Sequence, residues 1–595
     1  MSATVAPPGA PHGSAGVAEP HPARSRWPVL ALAVAMAVAA AALFHLTRGF
    51  TFFYDEWNFL MNRQEFSADA LLAPHNEHNV MVTVLLFKGL WELAGLGGYW
   101  AFRALAIGLH LVCVWLLFVY ARRRVGPEGA LAAAVVILFL GTAWEIILWP
   151  FEVQFLIPIA AGLGGFLLME RREPRADVGA SALLALAFAS GSLGIPVAAG
   201  MTVEILFGRD RVRRLLRVVA VPVALYLVWL REYDPFRARF GSYESVPGFV
   251  LDQAGAAIAA IAGLQFSSVS TPAAVVALIL ALVAAERFVR GGVDRGRLAA
   301  VATMALAYWS ALALYRPWVA DQEPSRYLYG GALFVLLVCL ELARGRRPRG
   351  PVLAIVAVLA LASVASNIGD MRDGAHTIRA YTDYVAPGLG ALELARGEVG
   401  PRFRPEPNRA PDIVAGRYFR AVDRWGSPAD TPEEILRRGE GAREAADIVL
   451  QRALGLRLAP ATAPGRGPAP QPADTPAGTL ATSAGCVRFV PAAGLAALDL
   501  TLPPGGITLS AGAQPVVVQL RRFADGFLAN GAVPGATEFA TNRQAFGREL
   551  LGARTLQLAP GETAALRIPA DGAPTPWQAR LSTEGRVTAC GLGPA

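Results

Sequence analysis

The stretch "WPVLALAVAMAVAAAALFHLTRGFTFFYDEW", residues 27–57, decides how the rest of the chain is read. Between residues 27 and 47 the only ionisable side chain is His45. A helix rising 1.5 Å per residue over that run covers roughly 30 Å, the thickness of a bilayer's hydrocarbon core. Immediately after it come Arg48, a cluster of aromatics, and the adjacent carboxylates Asp55 and Glu56. Charge is costly where the dielectric falls, so acids at such a lip call for a partner or a task.

The pattern set by this stretch recurs. The chain has 595 residues, 54% of them hydrophobic and only 17% charged, with a mean hydropathy of +0.41. Apolar runs of about 18 to 22 residues, nearly free of charge, return along its first two thirds, which predicts a polytopic α-helical membrane protein. The net charge of +8 comes almost wholly from arginine, with Lys88 the sole lysine. These arginines sit in short loops between apolar runs, the positive-inside pattern rather than a nucleic-acid-binding surface. Residues 1–26, rich in Pro, Gly and Ala, read as a disordered cytoplasmic tail. A cleaved signal peptide is the competing interpretation of the first apolar run. The run at 27–47 exceeds a usual signal core and many more spans succeed it, which favours a retained helix.

Arginine clusters fall at 122–124, at 171, 172 and 175, at 209–217, at 287–297 and at 344–349. Placing all of them in the cytoplasm makes the spans alternate. The expected spans are 27–47, 99–120, 129–148, 152–170, 178–190, 194–207, 213–230, 272–289, 298–315, 327–343 and 351–367, about eleven in a domain over 27–367. The fifth and sixth are short and meet at "SGSLGIP", compatible with a re-entrant hairpin. This arrangement puts loops 48–98, 231–271 and 316–326, and everything after 368, on the extracytoplasmic side of the plasma membrane. "NVMVTVLLFKGLWELAGL" and "FVLDQAGAAIAAIAGLQF" within those loops read as amphipathic pieces along the bilayer surface. One of them as an extra span would break the arginine alternation.

Residues 369–458 read as helical, with Thr431, Pro432 and Glu434 forming a capping-box start. A Pro-rich linker follows at 459–478. From 479 to 595 short alternating runs ("VRFV", "LDLTL", "ITLS", "VVVQL", "TLQL", "ALRI", "QARL" and "VTAC") predict a β-sandwich. Cys486 and Cys590 lie near its ends, where an extracytoplasmic location favours a disulfide over two free thiols. Cys113 and Cys339 fall inside spans and read as packing residues. Trp577 and Phe523 offer either a sugar-stacking platform or core.

The polar residues gather in the outward loops: Asp55 and Glu56, then His75, Glu77 and His78 in "APHNEHNV", then Arg231 to Arg239, then Asp321 to Tyr327 in "DQEPSRYLY". Such a set suits glycosyl transfer from a lipid phosphate. A carboxylate takes the acceptor hydroxyl's proton, arginines hold the departing phosphate, and desolvation raises the carboxylate's proton affinity. His75 and His78 are spaced to share a helical face and a metal, yet no metalloprotease-type motif surrounds them. Arg103 reads as structural as readily as functional, and Arg326 as a headgroup anchor as readily as a phosphate ligand.

"YDEW" after the first span resembles the acidic pair of the GT-C superfamily of integral-membrane glycosyltransferases, which use polyprenyl-phosphate sugars. "LLAPHNEHNVMVTVLLFKGLWEL" is similar to the second half of that loop in protein-O-mannosyltransferase-like members, without their two prolines after the histidine. "YWAFRALAIGLH" and "SRYLY" resemble an arginine-bearing helix start and an Arg-Tyr opening a late helix. The resemblance covers roughly residues 27–367, and the order of its motifs carries it. It implies Asp55 as general base, Glu56 as its support or as a contact for a divalent cation (Mg or Mn), and His78, Lys88, Arg103, Arg326 and Tyr327 as donor- or phosphate-binding residues, to which the charged outward loop adds Arg237 as a phosphate-binding candidate. It further implies a polyprenyl-phosphate sugar donor, an extracytoplasmic glycan or protein acceptor, and the bilayer as setting. A flippase of lipid-linked saccharides and a non-catalytic glycan-binding envelope protein are the alternatives. The former predicts polar groups near mid-membrane in repeated halves, whereas the charges here sit mainly at the outer lip.

Overall fold

The computed structural model of the protein describes residues 26–236, 241–317, 325–527, 555–570 and 573–593. Arg237, Arg239, Asp321 and Glu323 lie outside the described residues. Eight helices among the described ones are long and apolar enough to cross a membrane: Trp27–Leu46, Trp100–Leu138, Pro150–Met169, Tyr243–Ala262, Ser267–Arg290, Arg295–Tyr315, Ser325–Leu342 and Pro351–Leu394.

In chain order the first helices are α1 (Trp27–Leu46), α2 (Asp55–Asn62), α3 (Ala68–Leu72), α4 (Met81–Ala94) and α5 (Trp100–Leu138). The α5 stretch is two antiparallel halves. Gly126 adopts φ +84° just before Pro127, and His110 Nε2 on the first half lies 3.2 Å from the Leu138 carbonyl on the second. A side chain at Gly126 would also crowd Arg347 Cγ at 3.3 Å, and the positive φ is what calls for glycine there. This reversal separates the expected spans 99–120 and 129–148.

Next come α6 (Trp144–Leu148), α7 (Val153–Met169), α8 (Pro174–Phe188), α9 (Gly194–Leu206), α10 (Arg211–Arg214), α11 (Val221–Tyr233), α12 (Val246–Ala262), α13 (Phe266–Arg290), α14 (Arg295–Tyr315) and α15 (Ser325–Leu342). A π-helical turn, Leu215–Ala220, joins α10 to α11. The second amphipathic segment forms α12. Just before it, Gly241 donates to the Leu314 carbonyl (3.0 Å) near the end of α14. Just after it, the Gly263 carbonyl accepts from Ser366 Oγ, well along the following helix. Where the sequence pointed to a piece along the bilayer surface, the helix Tyr243–Ala262 that includes α12 is itself long and apolar enough to cross a membrane.

The arginine clusters do converge at one end of the bundle. Arg124 on α5 reaches Glu341 on α15 and, at 2.7 Å, Glu170 after α7. Arg297 on α14 lies 2.7 Å from Glu204 on α9 and 3.7 Å from Glu170. Arg344 bridges Glu341 (3.3 Å) and Asp294 (3.1 Å). Glu341, Arg124 and Arg297 are buried. Groups of opposite sign must meet there because a lone buried ion is far costlier than a paired one.

Helix α16 (Pro351–Leu394) runs unbroken for 44 residues. The helix continues past 368, where the apolar run ends: no residue there forbids continued α-helical hydrogen bonding, and Gly369 meets no neighbour. Its distal half carries α17 (Ala415–Trp425), α18 (Pro432–Arg437) and α19 (Glu440–Ala453). The capping box is formed, with Glu434 N–H donating to Thr431 Oγ1 (3.3 Å) and Thr431 N–H to Glu434 Oε2 (2.9 Å).

The C-terminal region has two antiparallel sheets among the described residues. One holds β1 (Leu458–Pro460), β9 (Thr563–Ile568), β6 (Gly505–Ala511), β11 (Val587–Gly591), β4 (Cys486–Pro491) and β3 (Gly478–Ser483), in that spatial order. The other holds β2 (Gln471–Pro472), β5 (Ala496–Thr501), β10 (Gln578–Thr583), β7 (Val516–Arg521) and β8 (Thr555–Leu558). All eight anticipated strands are present. The Pro-rich segment 459–478, expected as a linker, contributes to β1 and supplies β2, edge strands where proline's missing donor costs no ladder bond.

Cys486 and Cys590 face each other across β4 and β11 and are disulfide-bonded. Phe523 and Trp577 are buried core residues, which removes the stacking platform. The sheets dock on α19 through Asp447. Its buried carboxylate accepts the backbone N–H groups of Arg522, Phe523 and Ala524 at 2.9, 2.9 and 3.1 Å. Burial still pushes its pKa up to about 6 against those bonds.

Candidate active site

At the bundle end opposite the arginine network, α2 begins on a strained residue. Tyr54 has φ +40°, a region that costs a side-chain-bearing residue about 1 to 3 kcal/mol. Packing holds it there: Phe53 lies edge-on to Trp149 (5.1 Å) and to Tyr381 (4.7 Å), and Tyr54 lies 5.2 Å from Tyr381. The turn sends the next two carboxylates in different directions, as the roughly 100° step of a helix demands.

Asp55 opens into a cavity of about 350 Å³ together with His75, Glu77, His78, Gln154, Arg316, Arg326 and Tyr327. Its Oδ2 lies 3.5 Å from His75 Nε2. Burial would raise its pKa, but the contact with His75 and the fields of His75, Arg326 and His78 hold it below the ordinary carboxylate value. The expectation that desolvation would dominate is thus reversed for Asp55.

Desolvation dominates at Glu56 instead. It is 0% exposed, and its Oε2 accepts from Phe53 N–H (2.7 Å) and Tyr99 Oη (3.0 Å). Burial pushes its carboxyl up to about 8 against those hydrogen bonds. Glu56 does not line the cavity. A divalent cation shared by Asp55 and Glu56 does not fit this geometry, because the Glu56 oxygens turn into the core. Among the described residues no group of three or more His, Cys, Asp or Glu is placed to hold a metal.

His75 and His78 face one another across a two-residue turn rather than along a helix. Their backbone N–H and C=O groups exchange two 3.0 Å hydrogen bonds. Asn76 takes the positive φ (+52°) that such a tight hairpin needs, a conformation asparagine tolerates. His78 Nδ1 meets Ser192 Oγ at 2.7 Å between α8 and α9, and burial pushes its imidazole down to about 4.

Arg326 lies at the start of α15. Its Nη2 is 3.4 Å from Glu145 and its Nη1 is 3.5 Å from Glu152, while its backbone N–H donates to Glu145 Oε2 (2.9 Å). Tyr327 beside it lines the cavity. Arg316, Glu145, Glu152 and Gln154 are additions to the sequence-derived set. Arg316 pairs with Glu77 through both guanidinium Nη groups, one at 2.7 Å. The available signal is chemical: acids set in apolar runs at "AWEIILWPFEV" must find cations, and arginines flank the loop between α14 and α15.

Two expected ligands lie elsewhere. Lys88 is buried and donates to the carbonyls of Arg63 and Glu65, the latter at 2.7 Å. Burial, with Arg424 and Arg63 nearby, holds its ammonium below the ordinary value. It staples the 63–65 turn onto α4. Arg103 donates to the Phe44 carbonyl (3.0 Å) at the end of α1 and stacks on the Phe44 ring (4.3 Å). Arg237 lies outside the described residues.

A second cavity, of about 350 Å³, adjoins the first. It shares Glu77, His78, Gln154, Phe155, Arg316 and Tyr327 with it. Beyond these its walls are largely apolar, from Leu193, Ile195 and Pro196 at α9 to Ala311, Leu312 and Leu314 on α14. The polar chamber therefore continues into a hydrophobic one between the start of α9 and the end of α14. Comparison with protein-family models and with curated proteins finds no match to this chain.

Proposed function

We propose that the protein is a membrane glycosyltransferase of the GT-C kind, transferring a sugar from a polyprenyl-phosphate donor to an extracytoplasmic acceptor. In this reading the arginine end of the bundle faces the cytoplasm and about eleven segments cross the bilayer. The observation that carries it is the joined pair of cavities: Asp55, Arg316 and Arg326 surround a polar chamber that opens into an apolar one. A lipid phosphate needs that juxtaposition, with its headgroup among guanidiniums and its chain among aliphatic side chains.

The chemistry follows from the residues. The acceptor hydroxyl oxygen forms a bond to the anomeric carbon as that carbon's bond to the phosphate oxygen breaks. The bonding pair leaves with the phosphate, whose added charge Arg316 and Arg326 neutralise. Asp55, ionised at neutral pH, takes the hydroxyl proton. His75 orients the carboxylate. Glu77, Glu145 and Glu152 hold the guanidiniums in place and temper their charge.

The test is sugar transfer in membranes supplied with a panel of polyprenyl-phosphate sugars. Asp55→Asn is expected to lose at least about a hundredfold in rate while inserting normally, the range removed with a general base. Wild-type transfer by that variant would overturn the assignment. Flipping of labelled lipid across vesicles without any transfer would favour a transporter.

A further inference from the structure

The exposed surface of α2 leads away from the catalytic chamber. Asp55, Asn58 and Asn62 are its only residues not buried, and their spacing of three and then four residues puts them on one helical face. Asp55 ends this stripe in the catalytic chamber. Asn58 and Asn62 line a separate polar trough of about 1010 Å³, walled by α2, the 63–74 segment and α17. On the opposite wall Arg417, Arg420 and Arg424 repeat the same spacing and line the trough. The two walls meet where Arg417 Nη1 donates to Asn62 Oδ1 and Gln64 Nε2 donates to the Arg417 carbonyl (2.9 Å).

The geometry points to this trough as the binding site for an uncharged glycan chain, whose end the α2 stripe delivers to Asp55. Its lining is nearly balanced in charge, with Arg63, Arg417, Arg420 and Arg424 against Glu65, Asp69 and Asp423. A polyanion would meet carboxylates there, whereas hydroxyls meet amides and planar guanidinium donors that match vicinal diols. Arg63 is committed to the carbonyls of Ala70, Ala73 and Pro74, and Arg424 to Glu92. Arg420 contacts only the Gly416 carbonyl of its own helix among the described residues.

Trp425 lines the trough as well. Its ring is only 8% exposed and packs against Trp91 (5.3 Å) and Arg424 (4.7 Å), so it walls the trough rather than offering a stacking surface.

Naming this glycan as the acceptor rests on the transfer reading above; saccharide binding by the trough does not. The experiment is a donor-free calorimetric titration of the full-length protein in nanodiscs with neutral mannan, galactan and arabinan hexasaccharides. A sulfated oligosaccharide and a Ser/Thr-rich peptide serve as rival probes. At least one neutral hexasaccharide should bind, and Asn62→Ala and Arg420→Ala should each weaken it about tenfold, the worth of one good hydrogen bond. Arg420 is solvent-exposed, so its variant reads binding even if the other folds poorly. The inference is overturned if no neutral saccharide binds, if binding is indifferent to Arg420→Ala, or if the peptide or the sulfated probe is the ligand these variants lose. Because no donor is present, a failure of catalysis at Asp55 leaves this result standing, and the reverse.

Discussion

Replacing Glu56 with glutamine separates a structural from a catalytic role for the second carboxylate. Burial raises its pKa from an ordinary 4.5 to about 8. A carboxyl raised in the folded state binds its proton more tightly there than in the unfolded chain. Its contribution is fully favourable below pH about 4.5 and is lost progressively as pH rises through about 8. At pH 7 the folded group is still mostly protonated while the unfolded one has ionised over about 2.5 units, a cost of about 3 kcal/mol at roughly 1.4 kcal/mol per unit. Glutamine keeps an oxygen to accept from Phe53 N–H and Tyr99 Oη but cannot ionise. Glu56→Gln should therefore match wild type near pH 4.5, exceed it by about 3 kcal/mol at pH 7, and gain further towards pH 8. Denaturant unfolding in detergent at several pH values, taken as the difference between the two proteins, reads this directly. Sugar transfer at pH 6.5, where Glu56 is already neutral, should survive in the variant. Parallel stability curves from pH 4.5 to 8, or loss of transfer in a folded Glu56→Gln protein, would refute the reasoning.

Asp55 predicts the opposite pH behaviour at the site. A carboxyl held below its ordinary value of 3.8 remains ionised throughout the neutral range, so transfer should show no acid limb between pH about 5.5 and about 7.5; a midpoint of about 6 in the rate profile would contradict this. At the other end of the bundle, Glu341→Ala leaves Arg124 buried with Glu170 as its remaining carboxylate partner and should cost about 1.5 to 3 kcal/mol, the range for a hydrogen bond to a charged group, measured by unfolding in detergent. In the C-terminal sheets, replacing both Cys486 and Cys590 by serine opens a loop closed over 104 residues of separation. It should destabilise that region by about 4 to 5 kcal/mol in the chain-entropy view, seen as earlier proteolysis of the sheets while the helical bundle stays intact.

Much of this architecture is legible in the sequence because it rests on local pattern. Apolar runs mark membrane-length helices, alternation marks every one of the eight anticipated strands, and Thr431-Pro432-Glu434 marks a helix start. That α16 runs on past 368 and that the Pro-rich piece at 459–478 joins sheet edges are not legible in the same way. Composition reports what a segment is made of, while its pairing partners decide whether α16 continues or a Pro-rich piece joins a sheet edge. At the site the same limit applies to single residues. Lys88 and Arg103 have the chemistry of phosphate ligands, but Lys88 is bonded to the carbonyls of Arg63 and Glu65, and Arg103 to that of Phe44.

By itself the sequence determined that the chain suits a bilayer, that clusters of arginine separate its apolar runs, and that acids follow the first of those runs. These follow from hydropathy and charge, which each residue carries wherever it lies. Only the tertiary structure decided which carboxylate opens into a chamber and which is buried. That choice depends on the strained turn at Tyr54, on the rings that hold it, and on His75, Arg326 and Tyr99 arriving from distant parts of the chain. One helical step separates Asp55 from Glu56, and the environments at its two ends, cationic for one and dry for the other, move their proton affinities in opposite directions.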